Sequence, residues 1–247
     1  MRAVKKRTEA WLFTSILLSL TVLPVAAEAP PPPPQPDTTS QTPEASSAPV
    51  FAYRPPNRGA PARRLGGGTR AIAHLSVLAP DHTAVTTQAQ PRLYWYLSPG
   101  FSNNTRFRLS ESGTARPLLE IVLPPQPNGG IQRLDLAVLN IRLEPGNLYE
   151  WGVMLEPQPH QRWPALKSLA SIAVDEPDAT LEDAAPEQRP YLAAQRGYWY
   201  DALDGISRLA EADPTNPVWH LQRAALLEQG GLLPAATYER ERAQSGQ

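Results

Sequence analysis

Apolar and polar side chains alternate in short stretches between residues 71 and 174, and Pro, Gly or Asn separates one stretch from the next. Such alternation is typical of strands with one buried face. It predicts strands at 71–79, 83–88, 92–98, 104–110, 117–123, 131–138, 148–155 and 168–174. Strands that recur every ten to fifteen residues favour an antiparallel β-sandwich over 63–176.

One stretch points to a particular kind of sandwich. Leu143 is followed by a Pro-Gly turn and then by Tyr149 and Trp151 at the start of a strand. This order resembles the tyrosine corner of fibronectin type III-like domains, in which the tyrosine hydroxyl bonds back to the upstream backbone. The fold class implied is an immunoglobulin or fibronectin III-like β-sandwich.

The apolar period changes to three or four residues at Pro177, which predicts helices at 187–196, 199–212, 217–229 and 234–243. Glycines at 197 and 231, and alanines at 202 and 236, are 34 residues apart, which is the tetratricopeptide period. The segment 177–247 therefore resembles a small tetratricopeptide-like α-helical tail of about one and a half repeats. Its residues Gly197, Trp199, Ala202 and Leu203 form either a peptide groove or a surface that buttresses the sandwich.

The N-terminus carries an export pattern. Four basic residues precede an apolar run at 11–22, and small residues then allow cleavage after Ala27. This is the pattern of a secretory signal peptide at 1–27, and the run is shorter than a spanning helix. A Pro-rich stretch at 28–62 predicts a disordered stalk. The expected location is periplasmic or extracellular, with membrane attachment only through an uncleaved signal segment.

Composition excludes several kinds of chemistry. The chain has no cysteine and a net charge of −1, so it offers no disulfide, no thiolate metal site and no basic field for nucleic acid. Its four histidines, at 74, 82, 160 and 220, lack metal-ligand spacing and are expected to be exposed. Acidic residues at 175–183 are interpreted as a solvated linker. The sequence predicts no enzyme activity, no cofactor and no metal.

Two predicted strands offer a candidate interaction face. Tyr94 and Tyr96 alternate with core residues in 92–98, and Arg106 and Arg108 alternate with core residues in 104–110. If these strands pair, the tyrosines and arginines lie side by side and point away from the core. Arginine over tyrosine is a favourable cation–π arrangement, and both residues are frequent at interfaces. The alternative is that the C-terminal helices cover this face.

Five groups of motifs stand out along the chain. They are Gly66-Gly67-Gly68-Thr69-Arg70, Leu75 to Pro80, Pro91-x-Leu93-x-Trp95-Tyr96, Leu143-x-Pro145-Gly146 with Tyr149-x-Trp151, and Ala194-x-x-Gly197-x-Trp199-Tyr200-Asp201-Ala202-Leu203. Together they resemble an uncharacterised bacterial family, the domain-of-unknown-function family 928. The resemblance covers about 63–232 and implies no activity.

These observations lead to one functional hypothesis and one alternative. The chain is expected to be an exported, non-enzymatic cell-envelope protein that acts as a protein–protein interaction or scaffold module for another envelope protein. The alternative is a glycan-binding module, in which Tyr94 and Tyr96 form a stacking platform for cell-wall glycan. The sequence leaves open the identity of the partner and the oligomeric state.

Overall fold

The computed structural model of the chain describes residues 51–56, 74–157 and 165–245. All of them belong to one compact unit, Ser47–Gln247. The predicted signal peptide, the predicted stalk up to residue 50 and the glycine-arginine segment at 66–70 lie outside the described residues. None of the described helices is both long and apolar enough to span a membrane.

Strands form at all eight predicted places and build two sheets. One sheet has the order β1-β3-β6 and the other the order β2-β8-β7-β4-β5. Neighbouring strands are antiparallel except that β2 runs parallel to β8, so the expected wholly antiparallel arrangement is wrong at that edge. The strands are β1 (Leu75–Val77), β2 (Ala84–Thr86), β3 (Arg92–Leu97), β4 (Thr105–Glu111), β5 (Leu119–Leu123), β6 (Gly130–Asp135), β7 (Leu148–Leu155) and β8 (Lys167–Val174).

Aromatic side chains join the two sheets through a shared core. Leu93, Trp95 and Leu97 of β3 are buried, and the centroid of the Trp95 ring lies 6.3 Å from that of Phe107 in β4. Phe107 stacks in turn on Trp151 of β7, with 5.9 Å between centroids. Aromatic pairs at such separations add about 0.5–1.5 kcal/mol beyond area burial. The alternation in β3 and β4 therefore reports correctly which side of each strand faces the core.

The turn that leads into β7 is held by Tyr149, the tyrosine of the predicted tyrosine corner. The Tyr149 hydroxyl accepts a hydrogen bond from the Glu144 N–H at 2.9 Å. Gly146, between them, has a φ of +82°, which a residue with a Cβ adopts only at a cost. The Gly146 N–H donates to the Val174 carbonyl at 2.8 Å. These bonds tie the connection before β7 to the end of β8.

Five helices follow the sheets. The sequence pattern does not predict α1, because four residues are too few to show an apolar period. Asp178 begins α1 by accepting from the Thr180 N–H at 3.0 Å, and Asn216 caps α4 by accepting from the Val218 N–H at 3.0 Å. The helices are α1 (Ala179–Glu182), α2 (Arg189–Gln195), α3 (Trp199–Ala212), α4 (Pro217–Gln229) and α5 (Leu233–Ser245).

The helices pack directly on the strands. The Trp199 indole at the start of α3 is fully buried, and its N–H donates to the Leu78 carbonyl at 2.8 Å. The Trp151 indole N–H of β7 donates to the Tyr200 hydroxyl at 2.8 Å. Both tryptophans belong to one hydrophobic cluster that runs through sheets and helices. Sheets and helices therefore stabilise each other.

Candidate functional site

The four residues of the candidate interaction face do not come together. Tyr94 and Tyr96 lie on β3 in the three-stranded sheet, whereas Arg106 and Arg108 lie on β4 in the five-stranded sheet. β3 pairs with β1 and β6, and β4 pairs with β5 and β7. The expected tyrosine–arginine face is therefore wrong. Its two halves lie on opposite outer surfaces of the sheet pair.

The tyrosine half is covered by helices, which is the alternative stated above. Tyr94 is buried, and its hydroxyl donates to Asp204 Oδ1 of α3 at 2.8 Å. The centroid of the Tyr96 ring lies 5.6 Å from that of Tyr238 in α5. Burial raises the pKa of Tyr94, and the nearby carboxylate of Asp204 raises it further. We call this outer surface of the three-stranded sheet the covered face.

Ion pairs fasten α3 to the covered face. Asp204 also accepts from Arg208 Nε at 2.8 Å, one turn further along the helix. Arg92 of β3 donates to Asp135 of β6 at 2.8 Å and lies 3.5 Å from Glu211 of α3. Because Asp204 is almost wholly buried, its hydrogen bonds are worth more than those of an exposed carboxylate. This network has a structural role in holding the helix on the sheet.

The arginine half belongs to a surface that no described element covers. Cross-strand pairs place Arg106 beside Val122 and Met154, and Arg108 beside Glu120 and Gly152. We call this outer surface of the five-stranded sheet the open face. Its residues come from alternating positions of four strands, namely Glu120 and Val122 of β5, Arg106 and Arg108 of β4, Leu148, Glu150, Gly152 and Met154 of β7, and Lys167 and Leu169 of β8.

Apolar side chains remain accessible on the open face. Leu148, Leu169 and Val122 are each at least about a third exposed, at 40%, 36% and 47%. Leu169 lies over Gly152, where an added Cβ would meet Leu169 Cδ2 at 2.3 Å. The absence of a side chain at Gly152 thus lets Leu169 lie flat against the sheet. Leu169 and Gly152 therefore form a locally smooth, apolar part of the open face.

Charged residues lie between these apolar side chains, on the central strand β4 and its neighbours. Arg106 bonds Glu120 at 2.7 Å and Glu156 at 2.5 Å. Arg108 lies 3.7 Å from Glu120 and donates to the Ala115 carbonyl at 3.1 Å. Exposed ion pairs of this kind contribute only about 0–1 kcal/mol to stability. These arginines are therefore free to exchange partners at little cost to the fold.

The predicted tail residues are buried rather than arranged along a groove. Trp199, Ala202 and Leu203 have no exposed surface. Gly197 has a φ of +83°, and a Cβ there would lie 2.7 Å from the Arg54 carbonyl oxygen. These four residues pack α3 onto the rest of the fold. Of the two interpretations that the sequence leaves open, a peptide groove and a buttress for the sandwich, their geometry matches the buttress.

A cavity of about 570 Å³ lies between the segment after β2 and helices α1 to α3. Asp201 lines it and is held by Thr87, whose N–H donates at 3.0 Å and whose hydroxyl donates at 2.8 Å. Burial raises the pKa of Asp201, although the bonds from Thr87 oppose that shift. Arg142, Arg189 and Arg208 also line the cavity.

Sequence reasoning misses a second polar cluster, between α4 and α5. His220 is 2% exposed, so the expectation that it is an exposed bystander is wrong. Its Nδ1 lies 2.8 Å from Glu239 Oε2, which also accepts from Arg223 Nε at 2.8 Å. The sequence does hold a signal, because residues 220, 223, 224 and 227 form one stripe at helical spacing, and this stripe includes Ala224 and Leu227.

The acidic stretch after β8 serves local structure. Asp178 caps α1 and pairs with Arg196 at 2.5 Å. The bond from Thr180 is the main cause of a lowered pKa at Asp178, and the Arg196 pair adds to it. Within residues 51–56, 74–157 and 165–245, no group of three His, Asp or Glu side chains could hold a metal ion. His160 lies outside the described residues.

The described residues form a β-rich fold, with two sheets followed by a helical C-terminal part. Residues 58–239 match the family described as Domain of Unknown Function (DUF928). The chain belongs to this family, which confirms the family resemblance found in the sequence. No curated protein matches the chain.

Solved structures add little. A multi-domain immunophilin from Arabidopsis thaliana aligns with 71% of this chain and 98% of its own length, at 12% identity and a TM-score of 0.18. A similarity this low defines neither a shared fold nor a shared function.

Proposed function

We propose that the protein is an exported, non-enzymatic component of the cell envelope that holds another envelope protein on its open face. The observation that carries this proposal is the outer surface of the five-stranded sheet, which no described element covers and on which the accessible side chains of Leu148, Leu169 and Val122 are interspersed with charged residues. Protein interfaces combine apolar and polar area in this way, and arginine is enriched in them. The covered face offers no comparable surface, because α3 and α5 lie on it.

The proposed architecture is an immunoglobulin or fibronectin III-like sandwich with a tetratricopeptide-like tail. The crossover bond of Tyr149 and the division into a three-stranded and a five-stranded sheet support the first part. Gly197 and Gly231, which are 34 residues apart, have φ values of +83° and +69° and precede α3 and α5. Ala202 and Ala236, at the same spacing, have no exposed surface. These equivalent positions support a repeat.

In this proposal the tail acts as a buttress. It covers one outer surface of the sandwich and leaves the other for the partner. A glycan-binding module with Tyr94 and Tyr96 as an exposed stacking platform is disfavoured, since Tyr94 is 1% exposed and Tyr96 is 7% exposed. Among the described residues, no observation favours glycan binding at Tyr94 and Tyr96.

Export is proposed from the sequence of residues 1–27. The mature chain is expected to begin at Glu28 and to be found outside the inner membrane. Mass spectrometry of the protein from fractionated cells measures both properties. An intact N-terminus on protein recovered from the cytosol would contradict export.

The partner proposal is tested by retention of an envelope protein on the immobilised full chain, with variants that place a charge on one surface at a time. Leu169→Arg replaces an accessible apolar side chain of the open face with a charge and should abolish retention. Val138→Arg is the matched control, because Val138 is 81% exposed and lies in the turn after β6. The proposal requires that the control retain the protein. Equal retention by both variants would overturn it.

A further inference from the structure

A short piece of the Pro-rich stretch, residues 51–56, lies against the helices. The residues on either side of it, up to 50 and 57–73, lie outside the described residues. Phe51 is 3% exposed and Tyr53 is half-buried, whereas Ala52 and Arg54 are exposed. Side chains that alternate in this way are typical of an extended chain that is bound along one side. We call residues 51–56 the docked segment.

One side-chain amide holds the main chain of the docked segment. Gln229, at the end of α4, accepts from the Tyr53 N–H through Oε1 at 2.7 Å. Its Nε2 donates to the Phe51 carbonyl and to the Ala225 carbonyl of its own helix, each at 3.1 Å. The amide thus uses its acceptor and both of its donor hydrogens, so its orientation is fixed. The two bonds to the segment involve backbone groups and do not depend on the identity of its side chains.

Two aromatic side chains of the docked segment pack on the helical part. The Phe51 ring stacks on Tyr191 of α2, with 4.4 Å between centroids. The Tyr53 ring meets Trp199 of α3 edge-on at 5.0 Å, and its hydroxyl lies 2.8 Å from His82 Nε2. Aromatic pairs at these separations are favourable beyond the area that they bury. The first position therefore favours an aromatic ring, and the second favours a phenol.

The end of the docked segment is held by the turn between α2 and α3. The Arg54 N–H donates to the Ala194 carbonyl at 3.1 Å. A Cβ at Gly197 would lie 2.7 Å from the Arg54 carbonyl oxygen and 3.2 Å from Pro56 Cδ, so glycine is what allows this approach. A residue that precedes a proline, as Arg54 precedes Pro55, favours extended backbone. The prolines therefore reduce the entropy that the segment loses when it docks.

The docked segment makes all of these contacts within six consecutive residues. None of the contacts requires that the segment be attached to the rest of the chain. Attachment acts through the effective concentration, which is in the millimolar range for short linkers. A free peptide of the same pattern must therefore compete with the segment. The segment contacts α2, α3 and α4, whereas the open face belongs to β4, β5, β7 and β8, so the partner proposal does not use this site.

We propose that α2, α3 and α4 form a binding site for extended peptides of the pattern aromatic-x-Tyr-x-Pro, and that the docked segment is its resident ligand. The pattern places one ring on Tyr191 and a phenol between Trp199 and His82. Gln229 holds the main chain between these two positions. The resident ligand closes the site in the free chain, and a peptide from another protein binds when it displaces the docked segment.

Isothermal titration of the full chain with the hexapeptide of residues 51–56, blocked at both ends, tests the site. Phe51→Ala combined with Tyr53→Ala in the chain weakens the resident ligand. This variant should bind the hexapeptide at least about tenfold more tightly than the wild type, because the competition is lost. The hexapeptide with the same two substitutions should bind at least about tenfold more weakly than the native one. Equal binding of the two peptides, or no binding of the native hexapeptide at millimolar concentration, overturns the proposal.

A milder variant keeps the test valid if the double variant fails to fold. Phe51→Ala alone leaves the Tyr53 ring on Trp199, so the chain should keep a cooperative thermal melt. It should bind the hexapeptide about threefold more tightly than the wild type, because one of the two aromatic contacts of the resident ligand is lost. Binding no tighter than that of the wild type would mean that the docked segment does not close the site, and would overturn the proposal.

Two glutamines of α4 locate the site. In the Phe51→Ala chain, Gln229→Ala removes both main-chain bonds and should weaken the hexapeptide about tenfold. Gln222→Ala, about two turns earlier on the same helix, is the matched control and should leave binding unchanged. Hexapeptide binding that is unaffected by Gln229→Ala, or weakened equally by Gln222→Ala, would place the peptide elsewhere and overturn the proposal.

Discussion

The covered face and the open face have the same local pattern and opposite environments. In β3, Tyr94 and Tyr96 alternate with core residues, and in β4 Arg106 and Arg108 do the same. The tyrosines lie under α3 and α5, while the arginines remain accessible. Alternation therefore identifies the side of a strand that points away from the core. It does not say whether another element covers that side.

The largest effect is expected at Trp199, a buried residue at the start of α3. Trp199→Ala removes a fully buried indole whose N–H bonds Leu78 and whose ring packs on Gly230, where an added Cβ would come within 2.3 Å. The free energy of unfolding should fall by about 3–5 kcal/mol, the range for truncating a large buried aromatic. Chemical denaturation of the full chain measures it.

Leu169→Ala on the open face is the control for that variant. Because Leu169 is 36% exposed, its truncation should cost less than about 1.5 kcal/mol, below the range for buried leucine. A loss at Leu169 as large as that at Trp199 would mean that the open face is buried.

The hydroxyl of Tyr94 should show a smaller effect. Tyr94→Phe removes the bond to Asp204 and leaves a buried carboxylate with one partner fewer. The expected loss is about 1.5–3 kcal/mol, the value for a hydrogen bond to a charged group. Tyr96→Phe is the matched control, since the Tyr96 hydroxyl has no hydrogen bond within the described ranges, and should cost under about 0.5 kcal/mol. Equal losses in urea titrations would contradict the role of Asp204.

The buried acid Asp201 of α3 should make the stability of the fold depend on pH. Burial raises the pKa of Asp201 above its ordinary value of 3.8. Its favourable contribution is therefore complete below about pH 3.8 and is lost as pH rises through the raised pKa. The stability of the wild type relative to Asp201→Asn should fall over that interval. Urea midpoints of both proteins measured across it provide the test, and a difference that is constant or grows with pH would contradict the prediction.

The smallest effect is expected on the open face. Arg108→Ala removes a side chain that is 51% exposed and whose ion pair with Glu120 spans 3.7 Å. Stability should change by no more than about 0.5 kcal/mol. A thermal melt measures it, and a loss of several kcal/mol would show that Arg108 supports the fold.

Local patterns predict most elements of this fold. The ranges of α3 and α4 agree with the apolar period and with the cap at Asn216. The bond of Tyr149 follows from a short motif whose residues are close in sequence. In each of these cases the determining contacts lie within a few residues, so the sequence displays them directly.

Contacts between residues that are far apart in the chain are not predicted by the local sequence patterns. Tyr94 meets Asp204 across 110 positions, and Thr87 meets Asp201 across 114. The assumption that β3 pairs with β4 fails because these two strands, although consecutive in sequence, belong to different sheets. Glu239 escapes notice for a related reason, since its partners His220 and Arg223 lie on another helix. Burial of a polar residue depends on where its helix or strand packs in the fold. The local pattern of apolar residues carries no information about that position.

The central claim is that the open face binds a partner in the envelope, and single-cysteine labelling tests it most directly. The chain has no cysteine of its own, so Leu169→Cys reports the open face and Val138→Cys reports an exposed turn elsewhere. With a maleimide reagent, both should label readily in the purified full chain. In intact envelopes, Leu169→Cys should be protected while Val138→Cys still labels. Equal labelling of the two positions in envelopes would contradict the claim.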